Sequence, residues 1–176
     1  MTDVFILLII FVGIFTQSVL GTAGIYLPIM ALLLFYIAVN FNIIRTLFYA
    51  LLCGILADAA SGYQFPCHIF IYSLLPLLGL YWVKIHDLRP LYLNFFPGIL
   101  VAAIQIIPLA LIRFRFDDPA FQLFHKWIPI LLAGIIFGAL FMPLAIAILD
   151  YFAHALKVTR YQDAGSKPQA KSRRWY

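Results

Sequence analysis

The sequence predicts an all-α integral membrane protein: about six transmembrane helices in one bundle, with both termini in the cytoplasm. Composition is the first observation: 65% of the residues are hydrophobic and only 11% are charged, whereas soluble domains are about half apolar and about a quarter charged. Hydropathy is the second, because the apolar residues form six separate segments. The third is the distribution of Lys and Arg along the chain, which favours one orientation.

The six apolar segments are the predicted helices, since a spanning helix needs about 20 mostly apolar residues. Glycine, proline or polar residues separate the segments, as is typical of turns. The first segment has Asp3 as its only nearby charge and lacks an A-x-A site, so we expect a retained helix rather than a cleaved signal peptide. The segments cover residues 4–20, 26–39 (a short one), 43–60, 66–83, 95–114 and 128–155.

Basic residues predict the orientation, because cytoplasmic loops carry the excess of Lys and Arg. With the N-terminus inside, nine Lys and Arg fall on the inner side and three, Arg113, Arg115 and Lys126, on the outer side. We therefore divide the chain into a helical domain, 1–160, and a basic, disordered cytoplasmic tail, 161–176. The tail is either a solvated positive-inside anchor or a contact for anionic lipid headgroups or an acidic partner.

Several function classes are disfavoured by the residues present. The basic excess lies in the tail, so we expect no nucleic-acid partner. All seven acidic residues are Asp, which removes any zinc site of the H-E-x-x-H type. No Ser–His–Asp pattern, phosphate-binding glycine loop or metal-ligand cluster is apparent. We expect no catalytic residue, no metal and no cofactor, with Cys53 and Cys67 as buried structural thiols.

Asp58 is the most informative single residue. It lies near the end of the third segment, in a small-residue stretch that includes Gly54, Ser61 and Gly62. A carboxylate at membrane depth is costly, so it should face other helices or a water-filled cavity. Asp58 is then either a structural carboxylate that accepts hydrogen bonds at a helix end, or a proton or ligand site. His68 follows at the start of the fourth segment, where it is either an interfacial helix-end residue or, if the turn brings the two side chains together, part of a titratable pair with Asp58.

Three further features predict contacts. Gly134 and Gly138 form a G-x-x-x-G pattern, which indicates close packing with another helix, either within the chain or in a partner. Gln105 and Gln17 are expected to hydrogen-bond within the bundle. After Asp118-Pro119 come three aromatic residues at i, i+3 and i+6, a spacing that predicts a short helix along the membrane surface. The aromatic face of this helix is either an aromatic-belt anchor or a docking surface for a periplasmic partner. These aromatics are Phe121, Phe124 and Trp127.

The stretch from the second segment to the fourth carries a distinctive motif. Pro28 opens the second segment, the third ends in Gly54-Ile-Leu-Ala-Asp58-Ala-Ala-Ser61-Gly62, and Tyr72 lies in the fourth. This stretch resembles the rod-shape-determining protein MreD family, whose pattern is close to G-hydrophobic-L-x-D-x-x-S-G and which carries an aromatic residue at about the position of Tyr72. Chain length, helix number and a short polar C-terminus are also similar.

The resemblance implies a function and partners. A chain similar to MreD is expected in the bacterial cytoplasmic (inner) membrane as a non-enzymatic scaffold of the cell-elongation machinery, which directs sidewall peptidoglycan synthesis. The implied partners are an MreC-like membrane protein and, indirectly, the MreB filament and the peptidoglycan synthases.

The family is also similar in architecture to the substrate-binding subunits of energy-coupling-factor vitamin transporters, and such a subunit is the alternative function. That alternative needs a polar outward cavity, to which Asp58, His68, Gln17 and Gln105 would contribute. The first segment lacks the small, Ala-rich pattern with which those subunits contact the coupling subunit.

Overall fold

All the regular secondary structure in the described part of the chain is helical. A computed structural model describes residues 2–23, 25, 27–61, 66–85, 91–113 and 120–161. Within these ranges the chain forms six α-helices and one short 3-10 helix, Leu91–Asn94. The α-helices are α1, Thr2–Thr22; α2, Ile29–Asn40; α3, Ile43–Ser61; α4, Cys67–Ile85; α5, Phe95–Arg113; and α6, Ala120–Ala155.

Four of these helices are long and apolar enough to cross a membrane: Thr2–Thr22, Ile43–Ala60, Cys67–Ile85 and Ile128–Ala155. Their outward faces carry large exposed apolar side chains, for example Phe11 on α1, Ile44 on α3 and Tyr151 on α6. Contiguous exposed apolar surface of this kind is costly in water and is stable against lipid. The chain is therefore an all-α membrane protein in which four described helices have the length of a span.

The second predicted segment is a helix, but the other helices surround it. Residues 29–39 of α2 are all buried, as expected of a helix that is hydrophobic on every side. Its 12 residues extend only about 18 Å at 1.5 Å per residue, well below the roughly 30 Å of a hydrocarbon core. The sequence predicts this short segment as one of about six transmembrane helices; in the structure it is a helix that protein covers on every side.

Consecutive helices run in opposite directions. Gly13 of α1 meets Met30 and Leu33 of α2, Gly54 of α3 meets Ile69 of α4, and the α5–α6 contacts described below are also antiparallel. The bundle consequently has two ends. We call them the Asp3 end, where α1 begins, and the Asp58 end, where the α1–α2 and α3–α4 connections lie.

The described C-terminal segment packs back onto the bundle. Tyr161, the first residue of the predicted tail, is fully buried in the core. The rest of the predicted tail, 162–176, lies outside the described residues. The predicted surface helix is continuous with α6, which begins at Ala120.

Candidate functional site

Asp58 joins α3 to α4 by capping the first turn of α4. One carboxylate oxygen, Oδ1, accepts a hydrogen bond from the His68 backbone N–H at 3.0 Å. The other, Oδ2, accepts one from the Ile69 N–H at 3.2 Å. The first N–H groups of a helix have no partner within the helix, and a negative charge there also interacts favourably with the helix dipole. Asp58 therefore satisfies two backbone donors of a helix other than its own.

The His68 ring is part of the same joint. Its Nδ1 lies 2.7 Å from Asp58 Oδ1, and both side chains are buried. In the tautomer that has its proton on Nδ1, the ring donates a hydrogen bond to this carboxylate oxygen. The ring also packs edge-on against Tyr72 one turn further along α4, with 5.6 Å between ring centroids. The packing of α3 against α4 thus places Asp58 and His68 together as a buried pair.

Gly54 permits this close approach. A Cβ atom at position 54 would lie 2.6 Å from Ile69 Cα and 2.8 Å from Ile69 N, both of which are backbone atoms of α4. Because residues four apart share a helix face, the same contact brings Asp58 to the start of α4. The side chain of Ser61, at the end of α3, and Gly62 lie outside the described residues.

A cavity of about 420 Å³ adjoins this joint at the Asp58 end. We call it the Gln105 cavity. Residues of all six helices line it; its polar lining residues are Gln17, Ser18, Thr22, His68, Tyr72 and Gln105. Its apolar walls include Ile14, Ile106 and Leu109. The volume falls within the roughly 300–1,000 Å³ typical of small-molecule sites.

The two glutamines predicted to hydrogen-bond within the bundle behave differently. Gln17 Oε1 accepts a bond from the Met30 backbone N–H at 3.0 Å, and so caps α2 from α1 much as Asp58 caps α4. Gln105 is buried, and its Oε1 makes no hydrogen bond within the described part of the chain.

A second polar cluster, at the Asp3 end, was not predicted from the sequence. Asp150 Oδ1 accepts hydrogen bonds from the Tyr36 hydroxyl at 2.8 Å and from the Tyr161 N–H at 2.7 Å. The Tyr161 hydroxyl contacts Asn94 Oδ1 at 2.7 Å, and burial raises the pKa of that phenol. The one available signal was Asp150 itself, a single carboxylate within the sixth apolar segment. This cluster fastens the end of the described chain to α2.

The G-x-x-x-G pattern of α6 lies within the chain's own core. Gly138 packs on Gly98 and Ala102 of α5, where an added Cβ would lie 2.6 Å from the Gly98 carbonyl oxygen. Gly134 packs against the Ile106 side chain, also on α5. The contact left open by the sequence is therefore internal. Of the predicted docking aromatics, Phe121, Phe124 and Trp127 lie on the first turns of α6, and their side chains are outside the described residues.

Together these features define a helical membrane protein whose outer helices surround a short central one, with a capped α3–α4 joint beside a neutral cavity. Within the described ranges no three His, Cys, Asp or Glu side chains lie together as metal ligands would. No known protein family, curated protein or solved structure matches the chain.

Proposed function

We propose that this chain is a non-enzymatic membrane scaffold of the bacterial cell-elongation machinery, which helps to maintain rod shape by positioning sidewall peptidoglycan synthesis. In this proposal it lies in the cytoplasmic (inner) membrane with six membrane-embedded helices and both termini in the cytoplasm. It binds an MreC-like membrane protein and, through it, the MreB filament and the peptidoglycan synthases. The observation that carries the proposal is the geometry of Gly54 and Asp58.

These two residues belong to the motif that resembles the MreD family, and both hold helices together. Gly54 sets the distance between α3 and α4, and Asp58 caps α4. A scaffold needs a rigid surface, because a partner that binds a mobile surface must also order it. A motif that fixes a helix pair is consistent with such a role.

The described basic residues support the proposed orientation. Arg45, Lys84, Lys157 and Arg160 lie on segments at the Asp3 end, whereas Arg113 ends α5 at the opposite end. Cytoplasmic segments carry the excess of Lys and Arg. The Asp3 end is therefore the cytoplasmic end in this proposal, and the Asp58 end faces the periplasm.

In this proposal, a lipid-facing groove between α4 and α5 is the surface that contacts the partner protein. Its volume is about 660 Å³, and all its lining residues are apolar, including Phe70, Leu74, Leu100 and Ile104. Helices associate in membranes through close packing of their surfaces. In our proposal a transmembrane helix of the partner packs into this groove.

Co-purification from native membranes tests the proposal. We expect the tagged chain to recover an MreC-like protein and peptidoglycan synthases. Leu74→Trp should reduce that recovery by filling the groove, while the matched control Leu132→Trp, on the exposed face of α6, should leave it unchanged. Recovery of an ATPase and a coupling subunit in place of cell-wall proteins would contradict the scaffold.

The predicted aromatic surface is tested in the same preparation. Alanine replacements of Phe121, Phe124 and Trp127 should lower recovery of the partner if these residues form a docking surface. Phe11→Ala is the control, because Phe11 is also a highly exposed aromatic but lies on α1. If both variants recover the partner equally, these aromatic residues act as a membrane anchor and not as a docking surface.

The substrate-binding subunit of an energy-coupling-factor vitamin transporter is the second candidate, and the Gln105 cavity favours it. The cavity lies at the Asp58 end, the outward end in the proposed orientation, and Gln17, His68 and Gln105 line it as that alternative required. Asp58, which it also required, is engaged with α4 and does not line the cavity. The identity of the co-purifying proteins separates the two candidates.

A further inference from the structure

The chain reverses direction after α6 and returns to the bundle. Lys157 has a φ of 55°, in the left-handed region. Its N–H donates a hydrogen bond to the His154 carbonyl at 3.2 Å. The next N–H, that of Val158, donates one to the Ala153 carbonyl at 2.8 Å. A left-handed residue with this pair of hydrogen bonds is the Schellman motif, which ends many helices. We call residues 157–161, which make this reversal, the C-terminal strap.

The strap is fastened beside the last turns of α6. The Tyr161 N–H donates a hydrogen bond to Asp150 Oδ1 at 2.7 Å, and the Tyr161 ring stacks on that of Tyr36 with 6.0 Å between the centroids. Asp150 precedes Ala155, the last residue of α6, by five residues, which is about 7.5 Å at 1.5 Å per residue. Because the end of α6 belongs to a candidate membrane span, Ile128–Ala155, the strap returns the chain to the edge of the membrane.

The sequence that follows the strap has the composition of a membrane-surface segment. Residues 162–176 have one acidic side chain and four basic ones, and two aromatic residues, Trp175 and Tyr176, come directly after the last of these. The basic residues are Lys167, Lys171, Arg173 and Arg174. Each cation near an anionic membrane surface shifts a binding equilibrium about fivefold, and Trp and Tyr are enriched at the membrane–water interface. The composition therefore matches an anionic lipid surface in both charge and aromatic content.

The position of the strap favours the same partner. Attraction between exposed charges is screened beyond the Debye length, which is about 8 Å at physiological ionic strength. Tyr161 is fixed at the edge of the membrane, so the residues that follow it in the sequence start close to the lipid headgroups. An acidic protein would satisfy the basic charges but would not account for the two aromatic residues.

We propose that residues 162–176 bind the headgroups of anionic phospholipids, and that the C-terminal strap strengthens this contact by holding Tyr161 at the edge of the membrane. This inference goes beyond the scaffold role and does not depend on it. Release of the strap would weaken the contact without removing any of the basic residues.

A fluorophore placed after the strap reports the contact with lipid. Ala170→Cys is labelled with an environment-sensitive nitrobenzoxadiazole dye, while the native Cys53 and Cys67 are buried in the folded chain. The labelled chain is placed in nanodiscs of phosphatidylcholine, either alone or mixed with phosphatidylglycerol. We expect the emission to shift to shorter wavelength only in the discs with phosphatidylglycerol, and molar salt should reverse the shift. Equal emission in the two kinds of disc would overturn the proposal. A shift in native membranes but not in phosphatidylglycerol discs would identify a protein partner and would also overturn it.

Removal of charge tests the assigned basic residues. Replacement of all four by Gln should abolish the shift in phosphatidylglycerol discs. The matched control replaces Arg45 and Lys84 by Gln, because these two basic residues are exposed at the same end of the bundle but lie on α3 and α4. The control should keep the shift. A shift that survives in the fourfold variant would refute the assignment.

Tyr161→Ala tests the strap and leaves every basic residue in place. It should lower the salt concentration that reverses half of the shift, whereas Tyr161→Phe, which keeps the ring contact with Tyr36, should stay close to the wild type. Cys53 and Cys67 show that the bundle is still folded if they remain unreactive towards a thiol reagent. If folded Tyr161→Ala loses the shift at the same salt concentration as the wild type, the strap does not strengthen the contact and that part of the proposal is wrong.

Discussion

Removal of the Asp58 carboxylate should destabilise the α3–α4 joint. Asp58→Ala leaves the backbone donors of His68 and Ile69, and the His68 ring Nδ1, without their acceptor. An unsatisfied buried donor costs about 1–3 kcal/mol, and loss of a helix cap costs about 0.5–2 kcal/mol. We take about 2–4 kcal/mol for the whole change, since water in the adjoining cavity will reach part of the site. Asp58→Asn retains one acceptor and should lose about half as much.

The two buried cysteines provide the assay. Cys53 and Cys67 are shielded in the folded chain, so a fluorogenic thiol reagent reports unfolding as temperature rises. At about 2–4 °C per kcal/mol for a chain of this size, Asp58→Ala should lower the midpoint by roughly 5–15 °C. The scan rate is held fixed, because membrane proteins often unfold irreversibly.

Asp3→Ala is the matched control for Asp58→Ala. Asp3 is also a carboxylate near a helix terminus, but its side chain is 59% exposed and its ion pair with Arg45 is long, at 3.6 Å. An exposed pair of this kind is worth less than about 1 kcal/mol, so the midpoint should change little. If the melting midpoint of Asp58→Ala equals or exceeds that of the wild type, Asp58 is not a structural cap. A proton or ligand role then becomes the better interpretation.

Two further stability predictions use the same assay. Gly138→Ala places a Cβ against the backbone of Gly98 and should destabilise the fold by about 1–3 kcal/mol through overpacking. Gly21→Ala is the control, because its Cβ meets nothing within 4 Å and the melting midpoint should not fall. Equal midpoints for the two variants would disprove the close α5–α6 contact. Lys157 lies two residues after the end of α6 and has a φ of 55°. Glycine adopts this conformation without strain, so Lys157→Gly should raise the midpoint by roughly 2–4 °C. Lys84→Gly, within α4, is the control and should lower the melting midpoint. If the midpoint falls for both variants, the backbone at Lys157 is not strained.

Much of the local structure follows from the sequence. Five of the six predicted segments match helices whose ends differ by a few residues, because a run of apolar residues between turn-forming residues is a local signal. The pairing of Asp58 with His68 was one of two interpretations that the sequence allowed. Few residues separate the two in sequence, so chain connectivity allows the contact, and the packing of α3 on α4 makes it.

Other features depended on contacts between distant parts of the chain. Tyr36 and Asp150 are 114 residues apart, and nothing local in either segment indicates that α2 and α6 meet at the Asp3 end. The sequence also did not determine which helix packs on Gly138, because a G-x-x-x-G pattern favours close approach of a helix without selecting which one.

The sequence alone determined that this chain belongs in a membrane, where its helices lie, and that Asp58 needs a protected environment, because each of these follows from residue chemistry over a short stretch. The tertiary structure alone decided that α2 is enclosed by protein, that Asp58 caps α4, and that Gln105 lines a cavity without a partner for its oxygen. Hydropathy is the same for a helix surrounded by lipid and one surrounded by other helices. Packing in three dimensions chooses between them.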